Sequence, residues 1–161
     1  MLKRIIIITT LFAGITACNS KAKSARDYNN KIVANEKSLQ PEEQSTEDNV
    51  KIFYNNNQYD SIALAGGHME AVVQKTIDAI DALPVPKSIG VDVFKAAVMK
   101  YFKFFKGIYT VYREYGQAGT DEKRTEIMEE LQKMVGQKQN VVDELQNAQR
   151  KYAKDNNFRM E

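Results

Sequence analysis

Apolar side chains recur at alternating spacings of four and three residues along two long segments of this chain. The first segment, from about residue 90 to 116, carries Phe94, Val98, Tyr101, Phe105, Ile108, Tyr112 and Tyr115. The second, from about residue 120 to 156, carries Ile127, Leu131, Met134, Lys138, Val141, Leu145, Ala148 and Tyr152. This spacing is typical of the seam between packed helices. Lys138 is the only residue that interrupts this apolar pattern. Together with Gly136, Lys138 predicts a weakly packed layer halfway along the second segment.

Two further helices are predicted ahead of these segments. One runs from about residue 59 to 83, and Pro84 ends it. The other begins at residue 25 and meets Pro41, whose ring and missing amide hydrogen disfavour a helix interior, so we expect a kinked or split first helix. Because no segment shows sustained period-two alternation, we predict an all-α fold: an elongated antiparallel four-helix bundle formed by residues 25–161 as one domain.

Two adjacent glycines lie inside the second predicted helix. Gly66 and Gly67 each cost about 1 kcal/mol in a helix interior relative to alanine. They would be expected either to bend this helix or to let a neighbouring helix approach closely. The sequence leaves both alternatives open.

The N-terminal residues have the layout of an export signal. Lys3 and Arg4 supply positive charge, and Ile5 to Phe12 form an apolar run that is too short to cross a bilayer, which needs roughly 20 residues. The signal ends in Ile15-Thr16-Ala17-Cys18, which resembles a lipobox. In such signals an aliphatic residue stands three positions before the cysteine and a small residue directly before it, and cleavage leaves the cysteine at the new N-terminus.

The alternative is an ordinary secretory signal followed by an incidental cysteine. Cys18 is the only cysteine of the chain, so it cannot belong to a disulfide framework, and polar residues follow it at once. We therefore predict that residues 1–17 are removed as a lipoprotein signal peptide, that Cys18 is acylated, and that residues 18–24 form a flexible tether. Two or three acyl chains anchor a protein firmly because each buried methylene contributes about 0.8 kcal/mol.

Removal of the signal makes the mature chain formally neutral. The whole sequence has 23 basic and 21 acidic residues, and Lys3 and Arg4 leave with the signal while no acid does, so 21 of each remain. A neutral domain lacks the basic field that attracts nucleic acid. We therefore predict no nucleic-acid partner.

Candidate catalytic groups do not form a known pattern. His68 is the only histidine, and its His-x-Glu fragment is similar to that of zinc deaminases, but the downstream pair of cysteine ligands that such a site needs is missing. Neighbouring acids on a helix are typical of a solvated face, which is the interpretation we give to Asp78/Asp81, Glu129/Glu130 and Asp143/Glu144. The sequence predicts no catalytic residue, no metal site and no cofactor.

The third predicted helix carries more aromatic residues than one seam can bury. Aromatic side chains at helical spacing usually widen a packing face, but they would also suit a groove for a lipid or another apolar ligand. The residues that would line such a groove are Tyr101, Phe105 and Tyr112. Along the same helix, the row of Lys100, Lys103 and Lys106 fits either an anionic partner or an ordinary exposed face.

The chain resembles bacterial envelope lipoproteins with small helical bundles. The resemblance rests on the stretch from Asp27 to Val33 shortly after the lipid cysteine, on the aromatic third helix, and on the stretch from Leu145 to Phe158. Pro41 departs from the continuous first helix of that pattern. The resemblance implies a helical bundle and an envelope location, and it gives no catalytic residues to transfer.

These observations lead to three expectations of function. The first is a non-enzymatic envelope lipoprotein, anchored to the membrane through the lipid on Cys18, that acts as an interaction or scaffold module for an envelope protein. The second is a carrier of an apolar ligand, and the third an enzyme whose site gathers acids distant in sequence. The residue after the cysteine is Asn19. An aspartate at this position would resemble an inner-membrane retention signal, so the asparagine favours the outer membrane. Both its periplasmic and surface faces stay open, and no oligomeric state is assigned.

Overall fold

The fold was analysed on a computed structural model that describes the backbone of residues 15–160 and the side chains of residues 20–160. Four helices follow one another along the chain: α1 (Ile15–Asn55), α2 (Tyr59–Asp81), α3 (Val91–Gln117) and α4 (Asp121–Asp155). Residues 15–160 contain no β-strand. The predicted all-α four-helix bundle is confirmed.

The N-terminal predictions fall largely outside this described part of the chain. The signal peptide (1–17) is described only in its last three residues, and the Cys18 side chain is not described, so cleavage and acylation stay predictions. Helix α1 begins at Ile15 and includes the residues assigned to a flexible tether, ahead of the predicted domain start at residue 25. Among the described residues, no helix has an apolar stretch long enough to span a membrane.

Helix α1 passes through Pro41 without a break, so the split first helix that the sequence allowed is wrong. Pro41 lies on an exposed part of the helix, where water can bond to the carbonyl that lost its amide partner. On either side of it, Leu39 and Thr46 are buried against the bundle. Packing on both flanks therefore offsets the cost of the proline.

Helix α3 is the central element of the bundle. It packs most extensively on α2 and next on α4, while α1 lies on α2 and approaches α4 closely at few positions. Its buried side chains include Phe94, Val98, Phe102, Phe105 and Tyr109. The seam between α1 and α4 is consequently much less packed than the contacts of α2 with α3, of α3 with α4 and of α1 with α2.

Helix α4 is held mainly near its two ends. Ile127 near its start and Tyr152 near its end are buried, and Thr120 caps its first turn by accepting a hydrogen bond from the Lys123 amide at 3.2 Å. Between Ile127 and Tyr152, the apolar residues at the four-and-three spacing of α4 are only half-buried. Gly136 and Lys138 are exposed. The weak middle layer predicted from the sequence is present.

Two glycines permit a very close approach of α2 and α3. A Cβ added at Gly66 would lie 2.6 Å from the Arg113 backbone nitrogen, and one added at Gly116 would overlap the Tyr59 carbonyl oxygen and the Ala63 backbone. Helix α2 runs uninterrupted from Tyr59 to Asp81. Of the two roles that the sequence left open for the glycine pair, close packing is the one that Gly66 fulfils.

Substitution of the adjacent glycines should have opposite effects on stability. Gly66→Ala forces the α2 and α3 backbones apart, and overpacking of this kind costs about 1 to 3 kcal/mol against a gain in helix propensity of about 1 kcal/mol. Gly67→Ala meets only the flexible Arg113 side chain at 3.4 Å, so the gain in propensity should prevail. Urea unfolding of both variants measures the difference, and a Gly66→Ala chain more stable than Gly67→Ala would contradict the assignment.

Candidate functional site

A row of tyrosines on α3 faces a row of glutamates on α1. We call these six residues the tyrosine–glutamate seam: Tyr101, Tyr109, Tyr112, Glu36, Glu43 and Glu47. The Tyr112 hydroxyl donates to Glu47 Oε2 at 3.0 Å, and the Tyr101 hydroxyl makes a longer bond of 3.4 Å to Glu36 Oε1. The contact between α1 and α3 thus depends on polar groups as well as on apolar packing.

Burial shifts the ionisation of both sides of this seam. It raises the pKa of Tyr101 and Tyr112, and the facing carboxylates of Glu36 and Glu47 raise them further, so both hydroxyls stay protonated and act as donors. Burial also raises the pKa of Glu43, and Lys138 on α4 only partly opposes this effect. The carboxylate of Glu43 therefore lies in a poorly solvated part of the seam.

The Tyr109 hydroxyl is the unusual group of the seam. Its residue is fully buried, and within the described part of the chain this hydroxyl makes no close hydrogen bond. The Glu47 carboxylate, which already accepts from Tyr112, is near enough only for a weak, longer one. Burial and the nearby Glu47 and Glu43 carboxylates raise the pKa of Tyr109, so its hydroxyl stays protonated. A buried polar group without a partner costs about 1 to 3 kcal/mol.

Removing the hydroxyls of Tyr109 and Tyr112 should change stability in opposite directions. Tyr109→Phe removes a buried hydroxyl that makes no close hydrogen bond, so the free energy of unfolding should stay unchanged or rise by about 1 kcal/mol. Tyr112→Phe removes a hydrogen bond to a carboxylate and should lower it by about 1 to 2 kcal/mol. Chemical unfolding of the two variants in one buffer gives the comparison, and a larger loss for Tyr109→Phe would show that its hydroxyl makes a strong hydrogen bond.

The three aromatic residues predicted to face a ligand are only partly brought together. Tyr101 and Phe105 stack with ring centroids 6.1 Å apart, and both line a cavity of about 90 Å³ between α1 and α3. Tyr112 lies outside the lining of this cavity. Sites for small molecules usually have about 300 to 1,000 Å³, so this cavity has room for a few water molecules but not for an acyl chain.

The other polar residues singled out in the sequence lie on the surface. His68 is 62% exposed, and its Nε2 lies 2.9 Å from Glu42 Oε1. Of the lysine row, Lys100 pairs with Glu144 on α4, whereas Lys106 donates to Gln74 on α2 at 2.8 Å, so the row is divided between two neighbouring helices. Among residues 20–160, no three His, Cys, Asp or Glu side chains come together as a metal-binding group.

The carboxylate pairs also lie at the surface. Lys95 lowers the pKa of Asp81 by hydrogen bonding and charge, with Nζ 2.7 Å from Oδ1. Asp78 accepts a hydrogen bond from Gln74, and Asp143 one from Gln139. Glu129 and Glu130 are exposed on α4, and Glu129 also lines a cleft at the start of that helix. These acids are therefore separate surface groups, as the sequence predicted.

A cleft that the sequence did not predict lies where α1 ends and α2 begins. One side of it is formed by Tyr54, Tyr59 and Tyr115, and α4 supplies the rest of the lining: Asp121, Arg124, Thr125, Met128, Glu129 and Gln132. We call it the distal cleft because it lies at the opposite end of the bundle from residue 20. The Tyr115 ring centroid lies 5.9 Å from that of Tyr54 and 6.0 Å from that of Tyr59. The cleft has a volume of about 420 Å³, and Tyr54 is 48% exposed.

An arginine is fixed inside the distal cleft. Arg124 lies with its Cζ 3.7 Å from the centroid of the Tyr59 ring, while its Nη1 donates to Asp121 Oδ1 at 2.7 Å. A second hydrogen bond runs from Nη2 to the Ala118 carbonyl. Stacking on an aromatic face together with a carboxylate bond keeps the guanidinium in one orientation.

The packing of α2 on α3 builds this cleft. Gly116 allows the end of α3 to approach Tyr59, which places Tyr115 beside the turn that joins α1 to α2. Burial raises the pKa of Tyr115, and the neighbouring Tyr54 and Tyr59 contribute to the rise.

Comparison of the chain with protein-family models, with curated proteins and with solved structures gives no match. The geometry of the seam and of the cleft therefore bears most directly on function.

Proposed function

We propose that this chain is a non-enzymatic envelope lipoprotein whose bundle binds a partner protein through the distal cleft. In this proposal Cys18 carries the lipid anchor, and the outer membrane is the favoured location. The observation that carries the proposal is the cleft itself: a preformed group of tyrosines and one fixed arginine at the end of the bundle that lies away from the anchored residue.

The composition of the cleft suits protein recognition. Tyrosine and arginine are enriched among the residues that contribute most to protein–protein binding. Tyr54 is half exposed but already packed on Tyr115, and Arg124 is held by Tyr59 and Asp121. Because these side chains are ordered before binding, a partner would lose little conformational entropy in fixing them.

The dimensions of the bundle suit a scaffold. Helix α4 has 35 residues, and a helix of that length spans roughly 50 Å at 1.5 Å per residue. The distal cleft would therefore be presented well away from the lipid anchor. The cavity of about 90 Å³ at Tyr101 and Phe105 gives this proposal preference over an apolar-ligand carrier, since a carrier would need a larger enclosed space.

Position-specific crosslinking tests the proposed interaction. A photo-crosslinking amino acid at Tyr54 in the full chain, expressed in its own envelope, should form a discrete product with one partner protein. The same amino acid at Ala71, exposed halfway along α2, is the matched control and should form none. The product at position 54 should decrease when Arg124→Gln is added, because this change removes the fixed guanidinium from the cleft.

The membrane anchor is tested separately in the same cells. Cys18→Ala should abolish acylation and leave residues 1–17 attached, whereas Ser24→Ala should leave acylation and cleavage unchanged. Identical crosslinks at positions 54 and 71, or none at position 54, would contradict the proposed interaction. An unmodified cysteine at position 18 of the wild-type protein, found by mass spectrometry of the intact chain, would contradict the anchor.

A further inference from the structure

Three parts of the chain meet at the end of the bundle opposite the distal cleft. They are the start of α1 (20–26), the loop between α2 and α3 (82–90) and the C-terminal segment (155–160), and together we call them the basal end. Lys21 and Ala22 line one groove with Ile89 and Asn157, and Lys23 and Arg26 line another with Phe158 and Arg159. Position 18, where the anchor is proposed, lies one helical turn before Lys21.

The loop of the basal end is held rigidly. The buried Asn156 side chain donates from Nδ2 to the Ile89 carbonyl at 2.8 Å, and its Oδ1 accepts from the Ile89 amide at 3.0 Å. The Ser88 hydroxyl bonds to that of the buried Tyr152 at 2.8 Å. Pro84 and Pro86 restrict the backbone further because each fixes its own φ.

This rigid loop exposes two apolar side chains to solvent. Ile89 is 66% exposed and Val85 is 47% exposed. The hydrogen bonds from Asn156 are to the Ile89 backbone, so they fix its side chain outside the core without covering it. A rigid loop that displays isoleucine and valine next to a lipid anchor suits insertion among the headgroups of a bilayer.

Charge at the basal end favours the same occupant. Seven exposed basic side chains lie in or next to its three parts: Lys21, Lys23, Arg26, Lys87, Lys151, Lys154 and Arg159. Five acids lie in or next to the same parts: Asp27, Asp78, Asp81, Asp92 and Asp155. Asp81 pairs with Lys95 at 2.7 Å and Asp155 with Lys151 at 2.6 Å, so the basic groups are in excess by two. Because the mature chain is formally neutral, this excess of basic groups is local to the basal end. Basic side chains beside apolar ones fit anionic phospholipid headgroups, with the amines at the phosphates.

We infer that the basal end docks on the phospholipid surface of the membrane that carries the anchor. Ile89 and Val85 enter the headgroup layer, and the surrounding lysines contact lipid phosphates. This inference rests on the proposed function, because acylation at Cys18 brings the basal end to the bilayer. Docking would orient the bundle so that the distal cleft points away from the membrane.

A tryptophan reporter tests this orientation, because the chain contains no native tryptophan. Ile89→Trp is compared with Leu64→Trp, since Leu64 is 76% exposed but lies on α2 towards the distal cleft. Each lipidated full-length mature protein is reconstituted into vesicles of phosphatidylcholine and phosphatidylglycerol with brominated acyl chains. Ile89→Trp should show blue-shifted emission and strong quenching by bromine, and Leu64→Trp should show neither.

Charge reversal provides the second arm of the test. Adding Lys87→Glu to the Ile89→Trp protein should reduce its quenching, and so should replacing phosphatidylglycerol by phosphatidylcholine. Equal quenching of the two reporters would overturn the inference. A blue shift of Ile89→Trp that appears without vesicles and grows with protein concentration would also overturn it, in favour of a second copy of the chain at this end.

The mass of the intact protein separates this inference from the proposed function. If acyl groups are present at Cys18 and Ile89→Trp is unquenched, the docking inference is wrong and the anchor stands. If acyl groups are missing, the proposed anchor is wrong. The docking inference then falls if the unacylated Ile89→Trp chain, added to the same vesicles, is also unquenched.

Discussion

The close packing of α2 against α3 is the contact on which the rest of the bundle depends. Gly66 and Gly116 bring the two backbones together, and the Arg113 guanidinium joins them through a bond of 2.8 Å from Nε to Glu70. When these two helices are packed together, α4 packs on the wide aromatic face of α3. The tyrosines at the margin of that face then lie towards α1. The positions of both outer helices therefore follow from one helix pair.

The two outer helices are held in a different way. Helix α1 approaches α3 through tyrosine hydroxyls and carboxylates, and helix α4 is buried mainly at Ile127 and Tyr152, near its ends. Burial of polar groups such as Glu43 contributes less to stability than apolar packing does. Helix α4 is consequently packed more tightly near the two ends of the bundle, where the distal cleft and the basal end lie, than in its middle.

Helix number, order and approximate bounds could be predicted because the sequence marks them locally, with Pro84 after α2 and Thr120 before α4. The continuity of α1 could not be predicted. The cost of Pro41 is visible in the local sequence, whereas the packing that offsets this cost comes from the rest of the bundle. The predicted site was recovered only in part, as Tyr101 and Phe105 share a cavity that Tyr112 does not line. The distal cleft was missed because Tyr54 and Arg124 meet only after folding, and no periodicity links them.

Native-state hydrogen exchange, read residue by residue, tests this hierarchy of packing most directly. Amides of α2 and α3 around Gly66 and Val111 should exchange last, through global unfolding, because they belong to the closest helix pair. Amides around Gly136 and Lys138 should exchange much earlier, through local opening of the exposed middle of α4. Protection in the middle of α4 equal to that of α3 would contradict the account.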